Sequence, residues 1–417
     1  MTNASLSSGA VREHLDRTVR TWLGIPASAR VPTPTLPIQL AHRLLRVEEY
    51  ECQHRDQWGC WEYGFSESFW RGALWVPEVD SWVEQQRQEV ASDLDLEPRW
   101  PEERAFAVCL THDVDMVSRQ MTPLQAWRGL RQALRFREPS GQLVARLSDA
   151  ARQAARALHF GMHRTPITGA TLEQCLDLER EYGVRGSYFF TVLPLRPSPY
   201  DCTYALDDPC RFRGRRVHVG QVIRELVAEG FDVGLHGSYG SAIDFEALSV
   251  EKAALEGAAG VAIRSTRQHY LHWEIDTTPR LQEQVGLRAD STLGFNRNVG
   301  FRAGSSLPFY WFDLLAQSRR DVLEVPLIIQ EAALMGGNAL DLNLELAKQI
   351  IDQMMQAVQR VGGVLTLLFH PHSLLSTNYV ALFRWSIEQS LSRGAWVTSL
   401  GDIERWWRGR EARLGYA

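Results

Sequence analysis

From residue 105 onward, short apolar runs alternate with stretches of helical spacing. Residues 105–113 (AFAVCLTHD) form an apolar run ending in polar residues, which predicts a buried strand. Comparable runs predict strands at 186–192, 231–236, 262–271, 323–329, 364–370 and 395–399. Between them, apolar positions three and four apart predict helices at 171–183, 220–230, 245–260, 278–286, 344–361 and 381–394. Thr171 and Asn343 stand where helix caps belong, and Gly183 and Gly230 where helices stop. Repeated strand-then-helix units imply an α/β fold with a parallel sheet, closed or open, whose chemistry gathers at the C-terminal strand ends.

The first hundred residues follow a different pattern. Pro26, Pro32, Pro34 and Pro37 precede the aromatic stretch from Trp58 to Phe65, and Trp70 and Trp75 follow it. We read residues 1–100 as a smaller, Trp- and Pro-rich accessory region. Its tryptophans either pack against the main domain or offer flat faces to sugar rings. Pro98 opens a polar linker (LEPRWPEER), so the main domain runs over 101–417. Within it, a segment at about 125–165 breaks the rhythm: residues 128–164 hold eight arginines and two acids, with Leu and Ala at helical spacing. Such a basic helical insertion either stays solvated near the mouth of the sheet or makes peripheral contact with an anionic membrane.

Composition narrows the function classes. With 45% hydrophobic and 23% charged residues, the chain is an ordinary globular one. A net charge of −5 gives no case for a nucleic-acid partner. The N-terminus lacks the basic start and apolar run of a secretory signal, and no stretch is long enough to span a membrane; the expected location is the cytoplasm. None of the six cysteines forms a CxxC pair, so we expect reduced thiols and no zinc site built on cysteines. Oligomeric state cannot be read from the sequence.

The polar clusters fall at predicted strand ends. In Thr111-His112-Asp113-Val114-Asp115, alternation puts Asp113 and Asp115 on one face, with His112 on the other. Two carboxylates so placed allow one to hold a cation while the other moves a proton, although a capped turn would also explain them. Gly234-Leu235-His236-Gly237-Ser238-Tyr239 brings a histidine to the next tip, a residue that alone reads as structural. In Arg267-Gln268-His269-Tyr270-Leu271-His272, Arg267 and His269 share a face, and His269 is favoured as the inward one over His272. Leu368-Phe369-His370-Pro371-His372 supplies a further histidine, and Asp290 and Arg302 (in ADST and GFRAG) complete the set.

Taken in order, THDVD, GLHGSY, RQHYLHW, RADSTLGF with GFRAG, and LLFHPH resemble the motifs of the NodB-homology polysaccharide deacetylase family, in its branch with a DxD first motif. The resemblance covers about residues 101–405 and implies a distorted (β/α)7-type barrel. It implies a metal-dependent hydrolase that removes an N-acetyl group from an amino sugar, with a carbohydrate as substrate. Asp113 then corresponds to the general base, Asp115 and His236 to metal ligands, and His370 to the general acid. Arg267 orients and tunes the base, and Asp290 plays the same supporting part for His370. Ser238, Tyr239 and Arg302 are candidate substrate contacts. One departure stands out: the family's second histidine, four residues after the first, is Gly240 here. His269 is the residue expected to fill that gap, giving a metal set of Asp115, His236 and His269 that suits zinc but also cobalt or nickel. Backbone N–H groups near 188–192 or 236–239 are the expected oxyanion donors. The competing readings are a non-metal amide hydrolase of the same fold and a catalytically dead carbohydrate-binding protein.

Overall fold

A computed structural model describes residues 8–416, apart from 53, 57, 93, 118–123, 125–126, 130 and 132–169. The basic segment expected at about 125–165 lies almost wholly outside the described residues. Of its arginines, Arg128 and Arg131 lie inside; Arg128 pairs with Asp208 at 2.8 Å and Arg131 lies over the Trp127 ring.

Among the described residues, twelve strands build the sheets. They are β1 (Ala107–Val114), β2 (Ser187–Phe190), β3 (Pro209–Phe212), β4 (Arg215–His218), β5 (Asp232–Gly237), β6 (Ser265–Gln268), β7 (Ala289–Asp290), β8 (Phe309–Asp313), β9 (Ser318–Glu324), β10 (Ile329–Gln330), β11 (Val364–Leu368) and β12 (Trp396–Thr398). Ten of them form one sheet in the order β10-β11-β1-β2-β5-β6-β7-β9-β8, with β12 also pairing with β1. Every ladder in it is parallel except β8–β9. β3 and β4 form a separate antiparallel hairpin.

Helices Ala170–Glu181, Val219–Ala228, Phe245–Ala259, Thr278–Gln284, Leu344–Val361 and Thr377–Ser392 fall where the spacing predicted them, within a few residues. The Asn343 side chain accepts from Leu346 N and so caps the longest of these, and Gly362 in the left-handed region ends it. The charged hairpin of β3 and β4 was not anticipated, since its buried positions Cys210, Phe212 and Val217 are few and set among four arginines. Its turn, Arg213-Gly214, has φ of 51° and 72° at its two central positions, as a tight hairpin requires. Nor was β8, which makes the far edge antiparallel.

Alternation along β1 sorts its side chains between two cores. Phe106, Val108 and Leu110 join the cluster formed with the surrounding helices, including Leu172, Leu176, Met354 and Phe383. Ala107 and Cys109 join the other cluster, with Val19, Trp22, Trp100, Phe189, Leu323 and Trp407. Thr111 and Asp113 continue this second face. The face is concave. Strands β1 and β6 are three ladder steps apart, about 14 Å across a flat sheet, yet Arg267 on β6 donates to Thr111 Oγ1 on β1 at 2.7 Å. The structure is thus a mixed α/β fold around a curled, half-barrel sheet.

The concave side is filled from below. Helices Gly9–Leu23 and Glu78–Val90 contribute Trp22, Val79 and Val83, and helix Leu400–Leu414 contributes Ile403 and Trp407. The Trp22 indole donates to Pro308 O at 2.8 Å, and the Trp100 indole to Gly362 O at 2.8 Å. Arg302 makes two bonds to Glu49, of 2.8 and 2.7 Å, in a fully buried pair between the main sheet and the N-terminal region. Among the described residues, no helix is long and apolar enough to cross a membrane.

Candidate active site and metal centre

The open rim of the concave face collects the polar side chains. Asp115 follows β1, His236 stands near the end of β5, His269 directly follows β6, and His370 follows β11. Donor atoms of Asp115, His236 and His269 all lie within 4.8 Å of one another. His236 Nε2 is 3.3 Å from Asp115 Oδ1, and His269 Nε2 is 3.6 Å from the same oxygen. His236 Nδ1 lies 2.8 Å from the Arg267 carbonyl, to which it donates. That bond fixes the ring's orientation and turns Nε2 towards Asp115.

His269 owes its position to strained backbone. β6 stops at Gln268, well short of the strand predicted to 271, because Tyr270 and Leu271 take positive φ of 59° and 52°. Non-glycine residues rarely adopt this conformation, and it persists where surroundings hold it. Here Asn296 Nδ2 and Cys60 Sγ both donate to the Tyr270 carbonyl, at 2.7 and 3.2 Å. His272 turns elsewhere; its Nδ1 donates to Tyr239 O at 2.7 Å and its ring stacks on Tyr239.

Asp113 is buried and faces two groups. Arg267 donates to its Oδ1 at 3.1 Å, and its Oδ2 lies 3.9 Å from His236 Nε2. The Arg267 guanidinium is itself enclosed, donating also to Ser291 O and Ser291 Oγ and lying over the Phe189 ring. That ring needs Gly234 beside it, since an added Cβ there would come within 2.4 Å. His112 points to the opposite face, as alternation requires, and pairs with Glu179 at 2.6 Å.

His370 meets a partner that sequence reasoning missed. Its backbone N–H and its Nδ1 both donate to Glu331 Oε1, at 2.9 Å each, and Ser373 Oγ donates to the same oxygen. His370 Nε2 then lies 3.8 Å from Asp115 Oδ2. Burial opposes its charge, but the Glu331 carboxylate prevails and raises its pKa to about 10. Burial likewise opposes ionisation of Asp115, and the bond from His236 with the nearby His269 and His370 holds its carboxyl well below the usual range. Burial lowers His269 to about 4, which leaves it neutral at pH 7.

Four sequence expectations are corrected by this geometry. Asp290 does not support His370: it is buried beside β9, accepts from Thr292 Oγ1, and is pushed up to about 6 by burial. Arg302 is committed to Glu49 and to the Gly294 carbonyl and lies over Trp61, so its guanidinium is engaged within the protein. Ser238 is turned inward, where its Oγ and N both donate to Glu251. The expected oxyanion donors are largely engaged: Ser238 N with Glu251, Tyr239 N with Asp201 and Thr191 N with the Tyr204 hydroxyl. Each of these side chains or amides satisfies a buried partner, and no rule of sequence spacing reveals such a partner.

Tyr239 stays at the rim, in an aromatic patch. Its ring lies 4.9 Å from Tyr200, which lies 5.4 Å from Tyr270, which lies 6.0 Å from Trp58. Its hydroxyl donates to the Trp58 carbonyl at 2.7 Å. Of the other tryptophans, Trp61 is buried against Leu74 and Phe295, whereas Trp70 is 76% exposed. Glu331, Cys202 and Tyr270 carried no usable sequence signal. A lone acid opening a five-residue helix, a single cysteine in a loop and a strand residue forced into a turn all look ordinary until the chain is folded.

No protein-family model matches this sequence, and no curated protein matches it. Among solved structures, the chain is similar to one described as a "putative polysaccharide deacetylase from Mycobacterium smegmatis", at 18% identity and a TM-score of 0.49, covering 75% of this chain and 93% of that one. It is also similar to Puue allantoinase, at 13% identity and a TM-score of 0.46, covering 76% and 95%. A third is the peptidoglycan deacetylase PdaC from Bacillus subtilis, at 14% identity and a TM-score of 0.35, covering 74% and 94%. At identities and TM-scores this low, what the chain does has to be read from its own side chains.

Proposed function

We propose that this protein is a metal-dependent carbohydrate N-deacetylase of the polysaccharide deacetylase type, with residues 101–417 as a distorted (β/α)7-type catalytic domain. The observation that carries the reading is the convergence of three units on one rim: the Asp113–Arg267 pair, the Asp115–His236–His269 cluster and the His370–Glu331 pair. One carboxylate and two imidazoles suit a divalent ion such as zinc, with Asp115, His236 and His269 as the residues that would hold it. When bound, such an ion polarises the amide carbonyl and lowers the pKa of water.

The protein's own groups divide the proton transfers. Asp113 takes the proton from the water that attacks the N-acetyl carbon, its carboxylate oriented by Arg267. His370 gives a proton to the departing nitrogen from Nε2, because Nδ1–H is held by Glu331. The products are acetate and a free amine. Tyr239, Tyr200, Tyr270 and Trp58 offer apolar ring faces on which a sugar can lie.

Release of acetate from N-acetylglucosamine oligomers and from peptidoglycan fragments tests this. Activity should disappear on chelation and return with zinc or cobalt. Asp113→Asn and His370→Ala should each lose about 10²- to 10⁴-fold in kcat. Full activity in both variants on a substrate the wild type turns over would overturn the assignment.

A further inference from the structure

Cys202, in the loop between β2 and β3, stands beside the proposed metal centre. Its Sγ lies 3.8 Å from Asp115 Oδ1 and 3.9 Å from His269 Nε2, two atoms that stand 3.6 Å from each other. Donors around a tetrahedral zinc, with sulfur at about 2.3 Å and nitrogen or oxygen at about 2.0–2.2 Å, stand roughly 3.5 Å apart. The sulfur is therefore close to the separation at which one cation would bond it together with Asp115 and His269. Cys202 belongs to the apolar cluster shared with the surrounding helices, and its sulfur also meets a carboxylate and an imidazole.

The loop holding it is anchored. Asp201 Oδ1 accepts from Tyr239 N at 2.7 Å, on the tip that follows β5, and its Oδ2 accepts from Ser198 N at 2.6 Å.

We propose that Cys202 is a further ligand of the divalent cation, completing an Asp115–His236–His269–Cys202 set. This rests on the metal-centre reading above. In the metal-free protein the thiol hydrogen is directed to Asp115; a bound cation takes that proton's place. A soft sulfur donor biases the site towards zinc or cobalt and against magnesium or calcium.

Metal-free full-length protein titrated with cobalt(II) and followed by absorption tests the idea without relying on turnover. The wild type should show the visible d–d bands of bound cobalt together with an intense near-ultraviolet sulfur-to-cobalt charge-transfer band. Cys202→Ser should keep the d–d bands, lose the charge-transfer band and bind cobalt roughly 10-fold or more weakly. Should the variant fail to fold, X-ray absorption on the cobalt-loaded wild type decides by itself, through a sulfur scatterer at about 2.3 Å. Bound cobalt without sulfur in its shell, or a charge-transfer band that survives in Cys202→Ser, overturns the role of Cys202 and leaves the metal centre standing. Absence of any cobalt binding would remove both.

Discussion

Glu331 Oε1 accepts three hydrogen bonds, two of them from His370. Its charge favours the imidazolium form of His370, whose pKa is raised to about 10. Glu331→Gln removes that charge while keeping the shape, and so lowers the His370 pKa. An acid catalyst is active below its pKa, so the alkaline limb of the kcat/KM profile should move to lower pH, with KM little changed. An unmoved limb would mean that the proton comes from another group. His269 is a residue of a different kind, held in place by the left-handed Tyr270-Leu271 turn. Alternation with Arg267 favoured it over His272 in the sequence, although β6 stops one residue before it. The turn that delivers it depends on Asn296 and Cys60, which are distant in sequence and carry no motif.

Between elements, Arg267 is the tie that crosses the curl. It joins β6 to β1 through Thr111 and Asp113, and to the segment after β7 through Ser291, with no solvent exposure. Removing one member of a buried ion pair leaves the other uncompensated, at a cost of about 3–5 kcal/mol. Arg267→Ala should therefore lower stability by that order in urea denaturation as well as abolish activity. A variant that lost activity with unchanged stability would show that Arg267 does not brace the sheet. Most parallel strands and their helices were legible because each is a local apolar pattern ending in a polar tip. The β3–β4 hairpin, β7, β8 and β10 were not: their residues are charged, continuously apolar or too few to show a period.

Across the whole molecule, the first hundred residues and the sheet share a core. Trp22, Val79, Val83 and Trp100 pack with Ala107, Phe189, Leu323 and Trp407 beneath the rim. A chain starting at residue 101 should consequently lose cooperative thermal unfolding, and a sharp, wild-type-like transition would show that the region is dispensable. The Glu49–Arg302 pair adds a pH signature. Burial disfavours the Glu49 charge, but Arg302 and Arg46 outweigh it and lower its pKa from 4.5 to about 2. A depressed carboxylate pKa stabilises the folded state above its unfolded value, so this contribution is complete above pH 4.5 and fades as pH falls towards 2. Glu49→Gln should flatten acid unfolding over that window; an unchanged acid transition would exclude the pair as its source.

By itself, the sequence determined the period-two and helical patterns, the order of the polar tips, and the side of β1 on which Asp113 lies. These are local properties, set by residues two to four positions apart. Only the tertiary structure decided that His370 pairs with Glu331 and not with Asp290, that Arg302 holds the N-terminal region and not a substrate, and that Cys202 reaches Asp115 and His269. The reason is the curl of the sheet. Its curvature brings strands several ladder steps apart to one point, and loop positions decide which buried groups satisfy one another there.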